Sequence, residues 1–360
     1  MGKNKNKKQL QGLPEKFLKR LTNMFGVSLF NQIKITFIKR PTTFRINTIK
    51  ANQTEVIEIL KQNGFKFERI SWYKEAFILK NKSKRDLTNL DIYKEGKIYI
   101  QSLASMVPPL VLDLKSGEKV LDLTAAPGSK TSQIAALMNK QGELVANDNN
   151  KIRFFKLKHN MEVLGVSCYP EKNFGKIETE DLLKNKKDSL TVSIKNEFVQ
   201  NNDWKFILRM EHGAILTREY PEYFDKILLD APCSAEARFI EGEPKTYGYW
   251  KEQKIKEMAY KQRQLLLSAW KALKPGGILV YSTCTFSPEE NELQITRFMD
   301  RTEDCEIMDI DLLDFKCLPI LKNWNEKEIN KEVIKKSLRI MPAKEIEGFF
   351  VVKMRKKFLE

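Results

Sequence analysis

The chain has 360 residues, with 63 Lys plus Arg against 47 Asp plus Glu and a formal net charge of +16. Its length suggests roughly two domains. A hydrophobic fraction of 42% with 21 Phe excludes wholesale disorder, and the charge favours a polyanionic partner, most simply nucleic acid. No apolar run reaches about 18 residues, and the basic start MGKNKNKKQLQG has no apolar segment behind it, so neither a membrane span nor a secretory leader is expected.

Residues 1–13 are polar and basic and read as disordered. Two apolar segments follow in 14–40, the first (Phe17, Leu18, Leu21, Met24, Phe25) at helical spacing. FRINTIK (44–50) alternates apolar and polar residues, which suits a strand. TEVIEILKQN (54–63) predicts a short helix with Thr54 as N-cap and Gly64 at its C-terminal end. FKFERI and EAFIL read as strands, giving a small α+β domain over 1–110. From about residue 111 the rhythm changes. KVLDL (119–123), ELVAND (143–148), KILLDAP (226–232) and GILVYST (277–283) are short apolar runs ending at polar or turn residues, with helical stretches between them. That pattern predicts a parallel α/β sheet over 111–360, with ligands at the C-terminal ends of its strands. The charge-rich stretch 171–205 reads as an insertion.

VLDLTAAPGSKT (120–131) reads as strand, small-residue loop and helix start. Ala125, Ala126 and Gly128 let a ligand approach the backbone, and Pro127 stiffens the turn. Ser129 and Lys130 open a helix whose N-terminus favours an anionic group. The loop is neither G-x-G-x-x-G nor G-x-x-x-x-G-K-[ST], which disfavours a dinucleotide or a P-loop nucleotide. Asp148 ends the next apolar run, where a carboxylate can accept ribose hydroxyls.

The five cysteines are Cys168, Cys233, Cys284, Cys305 and Cys317. An odd number without C-x-x-C spacing predicts neither a disulfide framework nor a metal site, and a reducing, cytoplasmic compartment follows. With only His159 and His212 present, histidine-based triads are disfavoured. A free cysteine is usually a small buried hydrophobe. Cys233 in DAPCS and Cys284 in STCT differ, because each lies just past a core strand, the first close to Asp230. Two thiols, a carboxylate and a cofactor loop on one sheet edge suit cytosine C5 methylation. There a thiolate adds to carbon 6, a carboxyl group helps protonate ring nitrogen 3, and carbon 5 becomes nucleophilic.

Several segments taken together resemble the Sun/Fmu-type RNA cytosine-C5 methyltransferases. They are FRINT (44–48), YIQSLASMVPPLVLD (99–113), DLTAAPGSKT (122–131), ANDNNKIR (146–153), KILLDAPCSAEARF (226–239), LKPGGILVYSTCTFSPEENE (273–292) and EGFFVVKM (347–354). The resemblance implies a Rossmann-like, S-adenosylmethionine-dependent methyltransferase sheet behind a small N-terminal RNA-binding domain. It implies Cys284 as nucleophile, Cys233 in product release and Asp230 at the base and the cofactor region. Thr124, Ala125, Ala126, Pro127, Gly128, Ser129 and Lys130, with Asp148 and Asp230, would hold S-adenosylmethionine. Thr124 stands where the family usually has Cys, Ser129 where it often has Gly, and Ala237 where many members have Gly. His212–Gly213 stands where Asp-Gly is common on the third strand, which leaves the adenine contact unassigned. The RNA implied is ribosomal first and transfer RNA second, with the protein acting as a monomer. A non-catalytic RNA-binding or assembly factor, and methylation of DNA or of another base, remain as alternatives. The two-cysteine pattern disfavours DNA, because DNA C5 methyltransferases attack with the P-C cysteine.

The charge is uneven. Residues 1–110 carry 22 Lys plus Arg and 8 Asp plus Glu, so 22 − 8 gives +14, which leaves 16 − 14, or +2, for the rest. Phosphate contacts are therefore expected mainly from the N-terminal third.

Overall fold

The apolar residues near the N-terminus fold as the buried side of a helix, α1 (Glu15–Lys34). Gly26, at φ +72°, bends it, and the second apolar segment continues past the bend to a buried Ile33. The computed structural model describes residues 12–167, 194–199, 203–311 and 315–358. Leu13, inside the stretch expected to be disordered, is buried in the core beside Phe17, so order begins earlier than the composition implies.

The small sheet comprises β1 (Thr43–Ile46), β2 (Phe67–Ile70), β3 (Tyr73–Leu79) and β4 (Ile98–Ile100). They pair antiparallel in the order β2-β3-β1-β4. Helix α2 (Gln53–Gln62) and the short helices α3 (Lys84–Asn89) and α4 (Asp91–Lys94) complete it. Phe44, Ile46, Val56, Leu60 and Phe77 form its own core. The N-cap of α2 is Asn52, not Thr54: its backbone is extended and its side chain accepts from Glu55 N at 2.9 Å. All four residues of β1 are buried. Arg45 is fully buried because it reaches out of the sheet. Its Nε donates to Gln101 Oε1 at 2.8 Å and its Nη2 to Ser132 Oγ at 2.6 Å. Asn47 donates to the carbonyls of Gly96 and Leu164. The polar residues of FRINT thus tie the small sheet to the large one.

The linker helix α5 (Leu103–Val111) leads into an alternation of strands and helices. In chain order these are β5 (Lys119–Asp122), α6 (Ser129–Leu137), β6 (Gly142–Asn147), α7 (Lys151–Val163), β7 (Ile194–Val199), β8 (Trp204–Met210), α8 (Gly213–Leu216), β9 (Phe224–Asp230), α9 (Glu252–Ala272), β10 (Leu273–Thr283) and α10 (Glu292–Met299). After them come β11 (Cys305–Met308), β12 (Cys317–Leu318), the β13 (Asn323–Trp324) and β14 (Lys327–Glu328) hairpin, α11 (Lys331–Lys336), β15 (Leu338–Ile340) and β16 (Phe349–Lys356). The large sheet runs β12-β15-β16-β10-β9-β5-β6-β8-β7, with β11 pairing β16. Its centre, β10-β9-β5-β6-β8, is parallel, and β16 returns antiparallel on β10. This is the expected Rossmann-like α/β architecture. Most of the expected insertion lies outside the described residues, and its described end supplies β7, an antiparallel edge strand on β8.

One layer of core packs α1, α9 and α10 on the large sheet, where Phe17 meets Phe239 and Trp250 edge-on at 4.9 and 5.7 Å. The N-terminal helix therefore belongs to the core of the large sheet rather than to that of the small one. Among the described residues, no helix is long and apolar enough to cross a membrane.

Candidate active site

Strand order reverses between β5 and β9: β6 and β8 follow β5 on one side, β9 and β10 lie on the other. Loops leaving the two central strands diverge there and open a crevice. A cleft of about 910 Å³ occupies this point, within the size range of small-molecule sites. Thr124 Oγ1, after β5, donates to the carbonyl of Asp230, at the end of β9, at 2.8 Å across the reversal. Parallel register sets Ser282 opposite Asp230, so the residues just beyond each strand emerge side by side.

Those residues are the two cysteines, whose Sγ atoms lie 3.3 Å apart. Cys284 is 8% exposed and Cys233 half-buried. The shared proton splits their titration. The hydrogen bond with Cys284, reinforced by burial, raises the pKa of the Cys233 thiol well above the ordinary value. Cys284 moves the other way, lowered by that hydrogen bond and by the Arg238 guanidinium, while burial opposes the shift. The two thiols thus differ in acidity, Cys284 giving up its proton the more readily.

Asp230 stands beside them. Its Oδ1 accepts from Ser282 Oγ at 2.8 Å, and its Oδ2 pairs with Lys130 Nζ at 2.7 Å. Lys130, buried, also donates to Ser105 Oγ at 2.7 Å. Lys130 therefore reaches across to the carboxylate instead of pointing out from the start of α6. Thr124 to Pro127 and Ser129 line the same cleft. Gly128 does not line it. It takes φ +103°, and a Cβ there would stand 2.6 Å from Met161 Cε, so the residue is needed for the turn and for packing against α7. Asp148 lies on the cleft wall, accepting from the N–H groups of Ala126 at 3.3 Å and Asn150 at 3.0 Å and pairing with Arg153 at 3.3 Å. Burial raises its pKa. Its Oδ1, with Asn150 N–H as its one donor, keeps a lone pair free. His212 and Gly213 line the cleft as well, whereas Glu211 is held by Arg209 at 2.9 Å.

Asp122, at the end of β5, is 1% exposed. Thr131 Oγ1 donates to its Oδ2 at 2.7 Å, and its Oδ1 has no partner. Burial pushes its carboxyl up to about 7. An orphaned acceptor on a cleft wall is what a ligand ammonium group would satisfy. The residues present therefore fit a cofactor with a cationic amino group at one end and ribose hydroxyls within reach of Asp148.

Sequence reading missed the layer beneath the cysteines. Glu290 accepts from Ser234 N at 3.0 Å, from Ser234 Oγ at 2.5 Å and from Gln262 Nε2 at 2.9 Å. Glu236 accepts from Trp250 Nε1, Thr285 Oγ1 and Ser287 Oγ at 2.8, 2.8 and 2.9 Å and from Phe286 N at 3.1 Å. Ser234 Oγ and Thr285 Oγ1 are 2.7 Å apart. These bonds join the residue after each cysteine into one buried network. The signal was present in SAEAR and SPEENE, where acids sit unusually close to core strands. The other cysteines have different settings. Cys305 is buried, and its thiol is pushed up to about 12. Cys317 is exposed, and Cys168 lies outside the described residues. Among the described residues, no group of three His, Cys, Asp or Glu is placed to hold a metal ion.

The chain is also similar to known proteins over most of its length. Residues 109–355 match the family described as 16S rRNA methyltransferase RsmB/F, and residues 13–103 match the N-terminal domain of 16S rRNA methyltransferase RsmF. Ribosomal RNA small subunit methyltransferase F of Vibrio vulnificus is 33% identical over 96% of this chain and 64% of its own length. The chain thus spans a little under two thirds of that relative. The tRNA (cytosine(49)-C(5))-methyltransferase of Pyrococcus abyssi is 34% identical over 88% of each chain. The crystal structure of a methyltransferase homolog from Pyrococcus horikoshii superposes with a TM-score of 0.74, at 32% identity over 95% of both chains. With the cleft at the strand reversal, the paired thiols and these matches in hand, the chain belongs to the RsmB/F family of 16S rRNA methyltransferases.

Proposed function

We propose that this protein is an S-adenosylmethionine-dependent RNA cytosine-C5 methyltransferase that acts on ribosomal RNA. The observation that carries the reading is the pair of Sγ atoms 3.3 Å apart, with opposite proton affinities, on the same cleft edge as Asp230. S-adenosylmethionine, when bound, supplies an electrophilic methyl group. Asp122 is suited to receive its amino group, Asp148 its ribose, and Thr124 to Lys130 form the loop around it.

The cytosine ring enters beside the sulfurs. Cys284 adds as a thiolate to carbon 6, and the electron pair displaced from the ring is drawn toward nitrogen 3. Asp230 meets nitrogen 3 there and passes on a proton from the Lys130 ammonium bound to its Oδ2. Carbon 5 then carries the nucleophilic pair. Once carbon 5 is methylated, its proton must leave as the bond from Cys284 Sγ to carbon 6 breaks; Cys233 Sγ is placed to accept it after giving its own proton to solvent, and nitrogen 3 returns its proton through Asp230 to Lys130. The protein acts as a monomer in a reducing, cytoplasmic setting, consistent with free thiols at the site. A second reading, transfer RNA as substrate, is favoured by the likeness to the archaeal tRNA methyltransferase across 88% of both chains.

Cys284→Ala should abolish methyl transfer, measured with labelled cofactor and RNA, while RNA binding persists. Full activity in that variant would remove the mechanism. Cys233→Ala should accumulate a covalent protein–RNA adduct on denaturing gels under turnover conditions, and absence of the adduct would count against the release role. Bisulfite sequencing of ribosomal and transfer RNA, with and without the gene, decides between the two substrates.

A further inference from the structure

The cleft holds four basic side chains, Lys130, Arg153, Arg238 and Lys261. Lys130 is committed to Asp230 and Arg153 to Asp148. Lys261 lies next to Tyr260 on α9, both exposed. Arg238 differs from all three. It ends the 3-10 turn Glu236–Arg238, directly after the buried network. Ala237 N donates to the carbonyl of Cys284 at 3.1 Å, which pins that turn to the backbone of the nucleophile. The turn is also fixed from behind, where Ala237 packs on Gly348: a Cβ at Gly348 would stand 3.4 Å from that of Ala237. Among the described residues no ion pair neutralises the Arg238 guanidinium, and its largest charge interaction is with Cys284.

The charged and titratable groups around Cys284 come from several elements, Tyr249 before α9 among them. Cys233 and Asp230 lie on β9 and the loop after it, Arg238 on the 3-10 turn, and Glu347 on the segment before β16. Lys130 on α6 is bound to Asp230, and Glu290 acts on the neighbouring Cys233. Asp230 and Glu347 oppose a negative sulfur while the Cys233 hydrogen bond and Arg238 favour it, and of the two cations Arg238 is the one without an ion-pair partner among the described residues. We propose that Arg238 is the positioning residue that stabilises the thiolate form of Cys284, its guanidinium balancing the sulfur charge once the thiol proton has passed to solvent. This inference rests on reading Cys284 as the nucleophile. It gives a function to a basic residue that follows the Ala237 departure from the motif.

The test needs neither RNA nor cofactor, so its failure is distinct from failure of the methyltransferase reading. The full chain is alkylated with iodoacetamide between pH 5.5 and 9.5, and each cysteine is followed by peptide mass spectrometry. Arg238→Met and Arg238→Gln should raise the midpoint for Cys284 by about one pH unit, which is roughly tenfold slower alkylation at pH values below both midpoints. Arg238→Lys should restore most of the rate, and exposed Cys317 should react alike in all forms. Unchanged midpoints in both neutral variants would overturn the proposal. So would a Lys variant no faster than Met, since packing rather than charge would then be responsible.

Discussion

Glu290 carries two opposed demands. Three donors favour its ionised form, while burial and the neighbouring Glu236 push its carboxyl up to about 8. It is therefore largely protonated at neutral pH and accepts hydrogen bonds around its remaining lone pairs. The folded state holds this proton more tightly than the unfolded chain, whose carboxyl has the ordinary value of 4.5. Its contribution to stability is complete below pH 4.5 and is lost as pH rises toward about 8. Denaturant titrations between pH 5 and 8 should show stability falling with pH, and Glu290→Gln should flatten that slope. An unchanged slope would mean that the group ionises without cost. Composition hides residues of this kind. A glutamate in SPEENE reads as a surface acid, and only the fold shows that Ser234, Gln262 and Glu236 close around it.

At the scale of elements, α1 contributes more than its sequence announces. Phe17 is fully buried and sits between Phe239, Phe37 and Trp250. Phe17→Ala should cost about 3–5 kcal/mol in chemical denaturation, and should slow turnover as well, because Phe239 follows Arg238 directly. The central strands were legible because a parallel strand buried on both faces leaves an apolar run that stops where the loop begins. The strand-end residues were legible for the same reason, and with them Asp230, Cys233 and Cys284. What escaped the sequence were contacts between distant segments. Arg45 breaks the apparent alternation of β1 because Gln101 and Ser132 satisfy it inside the protein. Likewise Arg339 passes for a surface charge until α10 brings Glu292 against it in a bidentate pair, both side chains nearly inaccessible. Local preference also misled at α2, where Asn52 and Thr54 are both good caps and the observed helix starts one residue before Thr54.

Across the whole molecule, charge and chemistry lie in different places. The excess of +14 in residues 1–110 includes exposed Lys66, Lys84 and Arg85 on the small sheet and its helices. If these contact phosphates, replacing the three with Gln should weaken RNA affinity evenly across sequences. It should also lower the slope of log affinity against log salt by roughly one for each phosphate no longer neutralised, with cofactor affinity unchanged in calorimetry. Equal loss of both affinities would place the basic face elsewhere. The docking of α1 has a consequence for biosynthesis. The helix is synthesised roughly two hundred residues or more before Phe239, Trp250 and Phe286, on which its apolar side closes. At roughly 5–20 residues per second, the nascent helix waits tens of seconds with its hydrophobic side uncovered. Over that interval the growing chain is at its most prone to aggregate and most in need of a chaperone.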